Sequence, residues 1–532
     1  IVSGGILQFF LFFFPPSLNK YHFISVHIDV FLYLILNVGF IYFILSTTSP
    51  ILQSWLRLIK AKEPYTLYRL SNAGSFLAIL AYPLVVQPTT ALSKAYLFWL
   101  FGFLIYFFII LIQGFLLLKK DLPSNPNSDY IHTKYVSPIQ ALLIIILALL
   151  PTSFLIAITS EVTESFGPFP VLWAIPLSLY LLSYVMAFRP ISQKTFVSCC
   201  LTALIVTFQS CLLWSGAIIL GSDYKFIIYF FTFFIVSVVC HQKIYSLRPH
   251  SYHLGLFYLL LTGGGMIGAL LFTFFSTEVI HGLWDLPIIM LISFIYLVII
   301  AKNKIINKSK YLIFILICVI STFIAFYFVG MKIRDQIKNS IYLGRNFYGS
   351  ISVQDANSFY GPSRTLWHGK TIHGTQFLSL PNVATTYYGE RSGVGITIQT
   401  LQSSKSSLKI GVIGLGAGTL ASYCRKTDSF TFYEVNPKIS AVADKYFSYL
   451  KNCQGTINIE EGDGRQLLQN IVLTEEEQKY DLLVIDAFSN DFIPVHLFTK
   501  EAFALYQSQI RLDGIIALHI SSRYFNLEKV IQ

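Results

Sequence analysis

Over most of its length the chain repeats one pattern: a long apolar run, a short polar break, and another run. Such runs occur at about 24–48, 70–88, 94–118, 136–159, 170–188, 195–221, 226–242, 253–276, 286–301 and 311–330. Each is near the roughly 20 residues that a helix needs to cross the hydrocarbon of a bilayer. A helix is the form these runs must take there, because it satisfies every backbone N–H and C=O within its own segment. Only 12% of the residues are charged and 54% are hydrophobic, which excludes a soluble globule of this length. The expectation is an integral membrane protein of about ten helices whose partner is the lipid bilayer.

The net charge of +11 raises the possibility of a nucleic-acid partner, so its distribution matters. Residues 1–330 carry 18 Lys and Arg against 9 Asp and Glu, residues 331–400 carry 7 against 3, and residues 401–532 carry 13 against 15. The surplus therefore belongs to the apolar half and its junction, where Lys and Arg mark cytoplasmic loops. No nucleic-acid partner is expected. Basic loops (Arg57 to Arg69, Lys119 to Lys134, Arg189 with Lys194, Lys243 with Arg248, Lys302 to Lys310) alternate with loops carrying Glu161 and Glu164, then Asp223, then Glu278 and Asp285. This alternation leaves everything after the last run on the outer side, whereas Lys332, Arg334, Lys338 and Arg345 argue the reverse. The side of the C-terminal part stays open at this point. Glu161, Glu164, His241, His250, His253 and His281 fall near run ends and read mainly as interfacial anchors; an ion path is the alternative. Gly263 to Gly268 reads as close helix packing rather than a substrate path.

After residue 330 the character changes. Residues 331–405 form a small β region: Asn346–Val353 alternates as a strand does, and Arg364–His373 reads as two strands joined by a turn at His368–Lys370. Residues 406–532 alternate strand and helix: strands at 409–413, 430–434, 456–460, 481–486 and 514–520, helices at 419–427, 437–450, 464–472 and 499–511. That order implies an α/β doubly wound, Rossmann-like parallel sheet with its ligand at the C-terminal ends of the strands.

At the first of these strands stands Lys409-Ile-Gly-Val-Ile-Gly-Leu-Gly-Ala-Gly-Thr-Leu420. Gly414, Gly416 and Gly418 allow a tight turn and a close approach of the backbone to a ligand, and a helix N-terminus after them suits an anionic or polar group. Glu434 ends the next strand, where its carboxylate can accept hydrogen bonds from both hydroxyls of a ribose. Asp463 closely follows the strand after that, placed to accept from an adenine amino group. Asp486 follows the apolar strand 481–485, where it could take a proton from an attacking amine. Helix capping is the plainer role for Asp463, Asp486 and Asp491. The seven cysteines show no metal-ligand spacing, so no metal is expected. Cys424 and Cys453 fall on neighbouring elements of the sheet, where a disulfide is conceivable, but unlinked thiols are the default expectation.

At these residues the chain resembles the spermidine synthase family, in particular a bacterial membrane-fused branch with a multi-span segment ahead of the synthase-like part. The resemblance runs through Ser46–Gln53, Leu70–Ser75, Val239–Gln242, Gly263–Gly268, Phe347–Gly349, His373–Gln376, Thr385–Gly389, Gly414–Gly418, Tyr433–Asn436, Gly462–Arg465, Asp486–Ser489, Ile493–His496 and His519–Ser521. It implies transfer of an aminopropyl group from decarboxylated S-adenosylmethionine to a polyamine such as putrescine, in a bacterial inner membrane. Glu434 then resembles the ribose ligand, Asp463 the adenine ligand and Asp486 the acid that activates the amine. Gln376 and Tyr387 resemble the Gln and Tyr that the small β part contributes, and Asp491 resembles a displaced second acid on the substrate side.

Soluble members of the family carry Asp inside the Gly-rich turn where this chain has Ala417, and that Asp helps to hold the cationic aminopropyl tail. Three readings therefore stand: an aminopropyltransferase, an S-adenosylmethionine-dependent methyltransferase, and a non-catalytic transporter or sensor of polyamine-like solutes. The chain begins at Ile1 without Met and ends soon after the fifth strand, so truncation at both ends is expected.

Overall fold

The computed structural model describes residues 32, 34–59, 64–119, 135–167, 169–302, 308–473, 479–487 and 494–520. The apolar runs form helices: α1 (Phe40–Leu58), α2 (Thr66–Ala81, prolonged to Thr89), α3 (Leu92–Leu118), α4 (Pro138–Phe166), α5 (Pro170–Ala187), α6 (Gln193–Ser215), α7 (Ser222–Ser246), α8 (Leu254–Leu270, prolonged to Val279), α9 (Asp285–Lys302) and α10 (Lys308–Asn339). Seven of them, α2, α3, α4, α6, α7, α8 and α10, are long and apolar enough to cross a membrane, while Val171–Ala187 and Asp285–Ala301 are shorter. This is consistent with a membrane protein, with seven full-length candidates among the described residues rather than ten. The expected run at 24–48 lies partly outside the described residues.

The tightest packing joins α8 to α4. A Cβ on Gly264 would lie 2.5 Å from the carbonyl oxygen of Ile145, and one on Gly268 would lie 2.6 Å from that of Leu149. Only glycine lets the two backbones approach so closely, which is how small residues four apart hold helices together without a hydrophobic driving force. His241 does not sit at an interface as expected. It is fully buried in the bundle, with Nδ1 2.8 Å from Ser183 Oγ and its ring stacked on Tyr184 at 3.6 Å. The reason is that α7 continues to Ser246, so residue 241 is more than a turn inside its end.

Helix α10 runs to Asn339 and passes directly into a four-stranded antiparallel meander: β1 (Ser340–Asn346), β2 (Gly349–Ser358), β3 (Gly361–His368) and β4 (Thr371–Phe377). The stretch 346–353 is thus a hairpin rather than one strand, because Gly349, at φ +128°, turns the chain after Asn346. The β3–β4 turn falls where the alternation placed it. One face of the meander contributes Ile351, Val353 and Leu366 to the core of the C-terminal part.

That part is a five-stranded sheet: β5 (Lys409–Ile413), β6 (Ser429–Glu434), β7 (Thr456–Glu461), β8 (Tyr480–Ile485) and β9 (Ile510–Leu518), in the order β7-β6-β5-β8-β9 and parallel throughout. The order reverses beside β5, which opens a crevice at the strands' C-terminal ends. Helices α11 (Gly393–Ser404), α12 (Pro437–Tyr446), α13 (Gly464–Leu473) and α14 (Lys500–Gln509) pack around it. The helix expected at 419–427 is only a short 3₁₀ segment, Thr419–Tyr423. It stops because the Asp428 carboxylate accepts from the Arg425 N–H and pairs with the Arg425 side chain, turning the chain back before Ser429. The helix expected at 437–450 breaks after Tyr446. Cys424 and Cys453 are joined in a disulfide, contrary to the default of free thiols.

The helix bundle and the meander meet through buried polar contacts. Glu164 Oε1 on α4 accepts from the Ser350 N–H at 2.9 Å, Lys370 Nζ lies 2.9 Å from Glu161 Oε1, and Asp285 is paired with Arg345 while accepting from Ser276 Oγ. The two glutamates expected at the membrane interface are therefore the studs on which the meander sits. All these contacts are at the bundle end away from the basic loops.

Candidate functional site

The crevice beyond β5 is a cavity of about 380 Å³, within the range of small-molecule sites. Its floor is the Gly-rich turn. Gly414, Gly416 and Gly418 all have positive φ, at +102°, +55° and +78°. A Cβ on Gly414 would lie 2.3 Å from the carbonyl oxygen of Asp486, and one on Gly416 2.6 Å from that of His373, so the turn is wedged between β8 and the meander. Gly414 and Gly416 line the cavity; Gly418 backs the turn against Leu450.

Glu434, at the end of β6, is buried on the cavity wall. Its Oε2 accepts from the Leu415 N–H at 3.0 Å and its Oε1 from the Asn436 N–H at 2.9 Å. Burial pushes its carboxyl above the ordinary range, while those backbone donors favour the charged form. Each oxygen keeps a lone pair, which a hydroxyl facing it could use. Asp463 also lines the cavity. Its Oδ1 caps α13 by accepting from the Gln466 N–H at 3.0 Å, and its Oδ2 lies 2.7 Å from His496 Nε2. Capping and a cavity-facing carboxylate thus coexist in one side chain.

Asp486 follows β8 and is half-buried, lining the cavity. Desolvation raises its carboxyl to about 7, against a hydrogen bond donated by Tyr388 that favours the ionised form. Tyr387 and Tyr388 sit in a short turn entered through Thr386, whose φ of +57° is rare for a residue with a branched side chain. Backbone strain of this kind persists only where its surroundings enforce it. The Tyr387 ring packs against Tyr388 and His519, both at 4.3 Å, and lies behind Asp486 rather than on the cavity wall.

The structure also brings in residues that sequence reasoning did not name as site residues. His368 and His373 line the cavity from the β3–β4 hairpin, and Tyr348 lines it from the β1–β2 turn. Burial, with His368 and His519 nearby, lowers His373 to about 3, and burial also lowers His368 and His519. These imidazoles are neutral near pH 7. The wall therefore combines carboxylates with uncharged aromatic rings, which suits a cationic ligand held by charge and by ring faces. His373 and His519 lie in stretches that carry the family resemblance, the signal that could have found them.

Gln376, like Tyr387, does not line the cavity. It is buried elsewhere: its Nε2 donates to Pro381 O and Ser448 Oγ, both at 2.8 Å, and its Oε1 accepts from the Ser448 N–H. Asp491 lies outside the described residues. Ala417 is fully buried with its N–H donating to His373 O, and a Cβ on Gly374 would lie 2.5 Å from its own, so position 417 does not face the cavity.

No family model matches the chain. Over 181 residues it is 25% identical to a polyamine aminopropyltransferase of Vibrio vulnificus, covering 34% of this chain and 58% of that protein. Over 186 residues it is 22% identical to a probable polyamine aminopropyl transferase of Bifidobacterium longum, covering 34% and 38%. A shorter match of 110 residues, 32% identical, is to an N-terminal histidine N-methyltransferase of Emericella nidulans, covering 20% and 19%. The chain thus spans little more than half of the first of these relatives and less of the others. The similarities support the spermidine synthase family and, more broadly, a transferase related to the users of S-adenosylmethionine.

Proposed function

We propose that the chain is a membrane-tethered aminopropyltransferase, organised as a helical membrane part (1–330), a small β region (331–405) and a nucleoside-binding Rossmann-like part (406–532). In this reading decarboxylated S-adenosylmethionine is the co-substrate and a polyamine such as putrescine the acceptor. Glu434 holds the ribose, and Asp463, released from His496, accepts from the adenine amino group. The acceptor nitrogen attacks the methylene next to the sulfonium: a C–N bond forms, the C–S bond breaks, and its electron pair neutralises the sulfur as the adenosyl thioether leaves. The nitrogen's proton passes to Asp486. The observation that carries the reading is Asp486 itself, a carboxyl with a value of about 7 at the C-terminal end of an interior strand, three strands from Asp463 and beside the Gly-rich turn.

The lack of an acid on the cavity face of the Gly-rich turn leaves room for a second reading, methyl transfer from S-adenosylmethionine, because nothing in the turn distinguishes the donor's tail. A third, a non-catalytic binder of polyamine-like solutes, is favoured by orientation. The meander sits at the bundle end opposite the basic loops, which the positive-inside rule assigns to the outer side of the membrane, bacterial inner membrane in this proposal. A Cys424–Cys453 disulfide suits an oxidising compartment.

Isothermal titration with decarboxylated S-adenosylmethionine, S-adenosylmethionine and putrescine separates the three. Preference for the decarboxylated donor supports aminopropyl transfer, the opposite preference supports methyl transfer, and binding of putrescine alone leaves the binder.

A further inference from the structure

A second cavity, of about 510 Å³, lies between the meander and the helix ends. Strand alternation explains its roof. Ile351 and Val353 of β2 enter the core shared with the parallel sheet; Ser350, Ser352 and Gln354 alternate with them and line this cavity, which Ile351 also borders. Polar strand residues here face a partly open chamber shared with the helix ends. Its floor is made by the C-terminal ends of α4, α6 and α10, the N-terminal end of α7 and the α8–α9 connection.

The charge in the chamber is unbalanced. Lys225, Lys332 and Lys370 line it with a single carboxylate, Glu161, so three positive charges less one negative leave +2. Glu161 is already committed to Lys370, whose Nζ also donates to Ser165 Oγ at 2.6 Å. Lys225 and Lys332 make no ion pair among the described residues, and Lys225 lies over the Tyr229 ring at 5.4 Å. Glu161, Lys332 and Lys370 are all within electrostatic reach of Lys225. Gathering like charges in a partly closed space costs free energy unless an anion joins them. Trp214, Leu283 and Leu343 supply an apolar side to the same chamber.

We propose that this chamber is a binding site for a phosphate-type anion, with Lys225 and Lys332 as its cationic contacts, Ser352 and Gln354 as hydrogen-bonding groups, and Trp214 against an attached apolar chain. A lipid headgroup and a soluble phosphate share this chemistry. The chamber's place at the ends of membrane-length helices is the level at which headgroups lie, so the lipid is the expected source. The proposal is independent of the reaction assigned to the other cavity.

The test uses the full chain in a neutral detergent. Native mass spectrometry follows retention of phosphatidylglycerol against phosphatidylcholine, and calorimetry follows inorganic phosphate. Wild type is expected to retain phosphatidylglycerol preferentially. The double variant Lys225→Gln/Lys332→Gln is expected to lose about 30-fold in that preference, the effect of two lysines at a headgroup. Lys225→Arg/Lys332→Arg keeps the charge and is expected to keep the preference, separating loss of the site from loss of the fold. Phosphate binding with the same dependence on the two lysines, without lipid preference, would support the site with a soluble ligand. Wild type that binds neither, or a Gln/Gln variant that binds as well as wild type, overturns it.

Discussion

The proton acceptor is the part of the site most open to a quantitative test. Asp486 is raised from 3.8 to about 7 by desolvation. If it takes the proton of the attacking amine, only its ionised form works. That form makes up about 9% of the population at pH 6 and about 91% at pH 8, so the rate with limiting acceptor should rise about ten-fold across that interval on this group's account. Tyr388 donates to the carboxylate and holds its value down, so Tyr388→Phe removes a bond to a charged group worth about 1.5–3 kcal/mol and moves the midpoint up by about 1–2 pH units. Asp486→Asn removes the limb altogether and leaves only the slope from the acceptor amine, whose own value of about 10 lies well above it. The same burial has a cost in stability. A carboxyl bound more tightly to its proton in the folded chain loses stability as pH rises from about 4 to about 7, by up to about 4 kcal/mol. Asp486→Asn should therefore melt higher than wild type at pH 8 while losing turnover. The assay is product formation from decarboxylated S-adenosylmethionine and putrescine by mass spectrometry from pH 5.5 to 9, with parallel thermal melts. An unchanged profile in Asp486→Asn, or a midpoint that falls in Tyr388→Phe, would refute the assignment.

Glu434→Gln should weaken nucleoside binding by about 10–100-fold in calorimetry, because it removes a charged acceptor and turns an amide N–H toward a backbone donor. Arg345→Met strips the partner from buried Asp285 and should cost about 3–5 kcal/mol in chemical unfolding, whereas Asp285→Asn with Arg345→Met should recover most of it. Peptide mapping without reductant should recover Cys424 joined to Cys453, and a membrane-impermeant thiol reagent should reach a single Cys introduced at the exposed residue Phe359 from one side only: the cytoplasmic side under the transferase reading, the outer side under the binder reading.

Local patterns made much of this legible. A run of five residues ending in Ile413, three glycines that a side chain would block, and an acid at the end of each neighbouring strand depend on nearby residues alone, and β5 falls where its apolarity placed it. Features created by distant residues were not legible. Nothing near His368 or His373 announces that a hairpin will fold over the Gly-rich turn, and nothing near Gln376 announces that Ser448 and Pro381 will take up its amide. Glu161 and Glu164 read as interfacial because their partners, Lys370 and Ser350, follow some two hundred residues later. The helix after the glycines was overestimated because apolar periodicity does not register an aspartate, Asp428, that closes the chain on itself.

The passage from α10 into β1 leaves no linker between a membrane-length helix and the first strand of the meander. A bilayer that thickens or thins shifts the tilt of such a helix at small energetic cost. Here the helix end is also a strand end, and the hairpin it leads into carries Tyr348 to the cavity wall, while the studs at Glu164 and Asp285 resist independent movement. Under the membrane-tethered reading proposed above, the junction works as a lever with its long arm in the lipid. Membrane thickness becomes a mechanical input to the site, and reconstitution in lipids of graded acyl length should alter nucleoside affinity with no change in any residue.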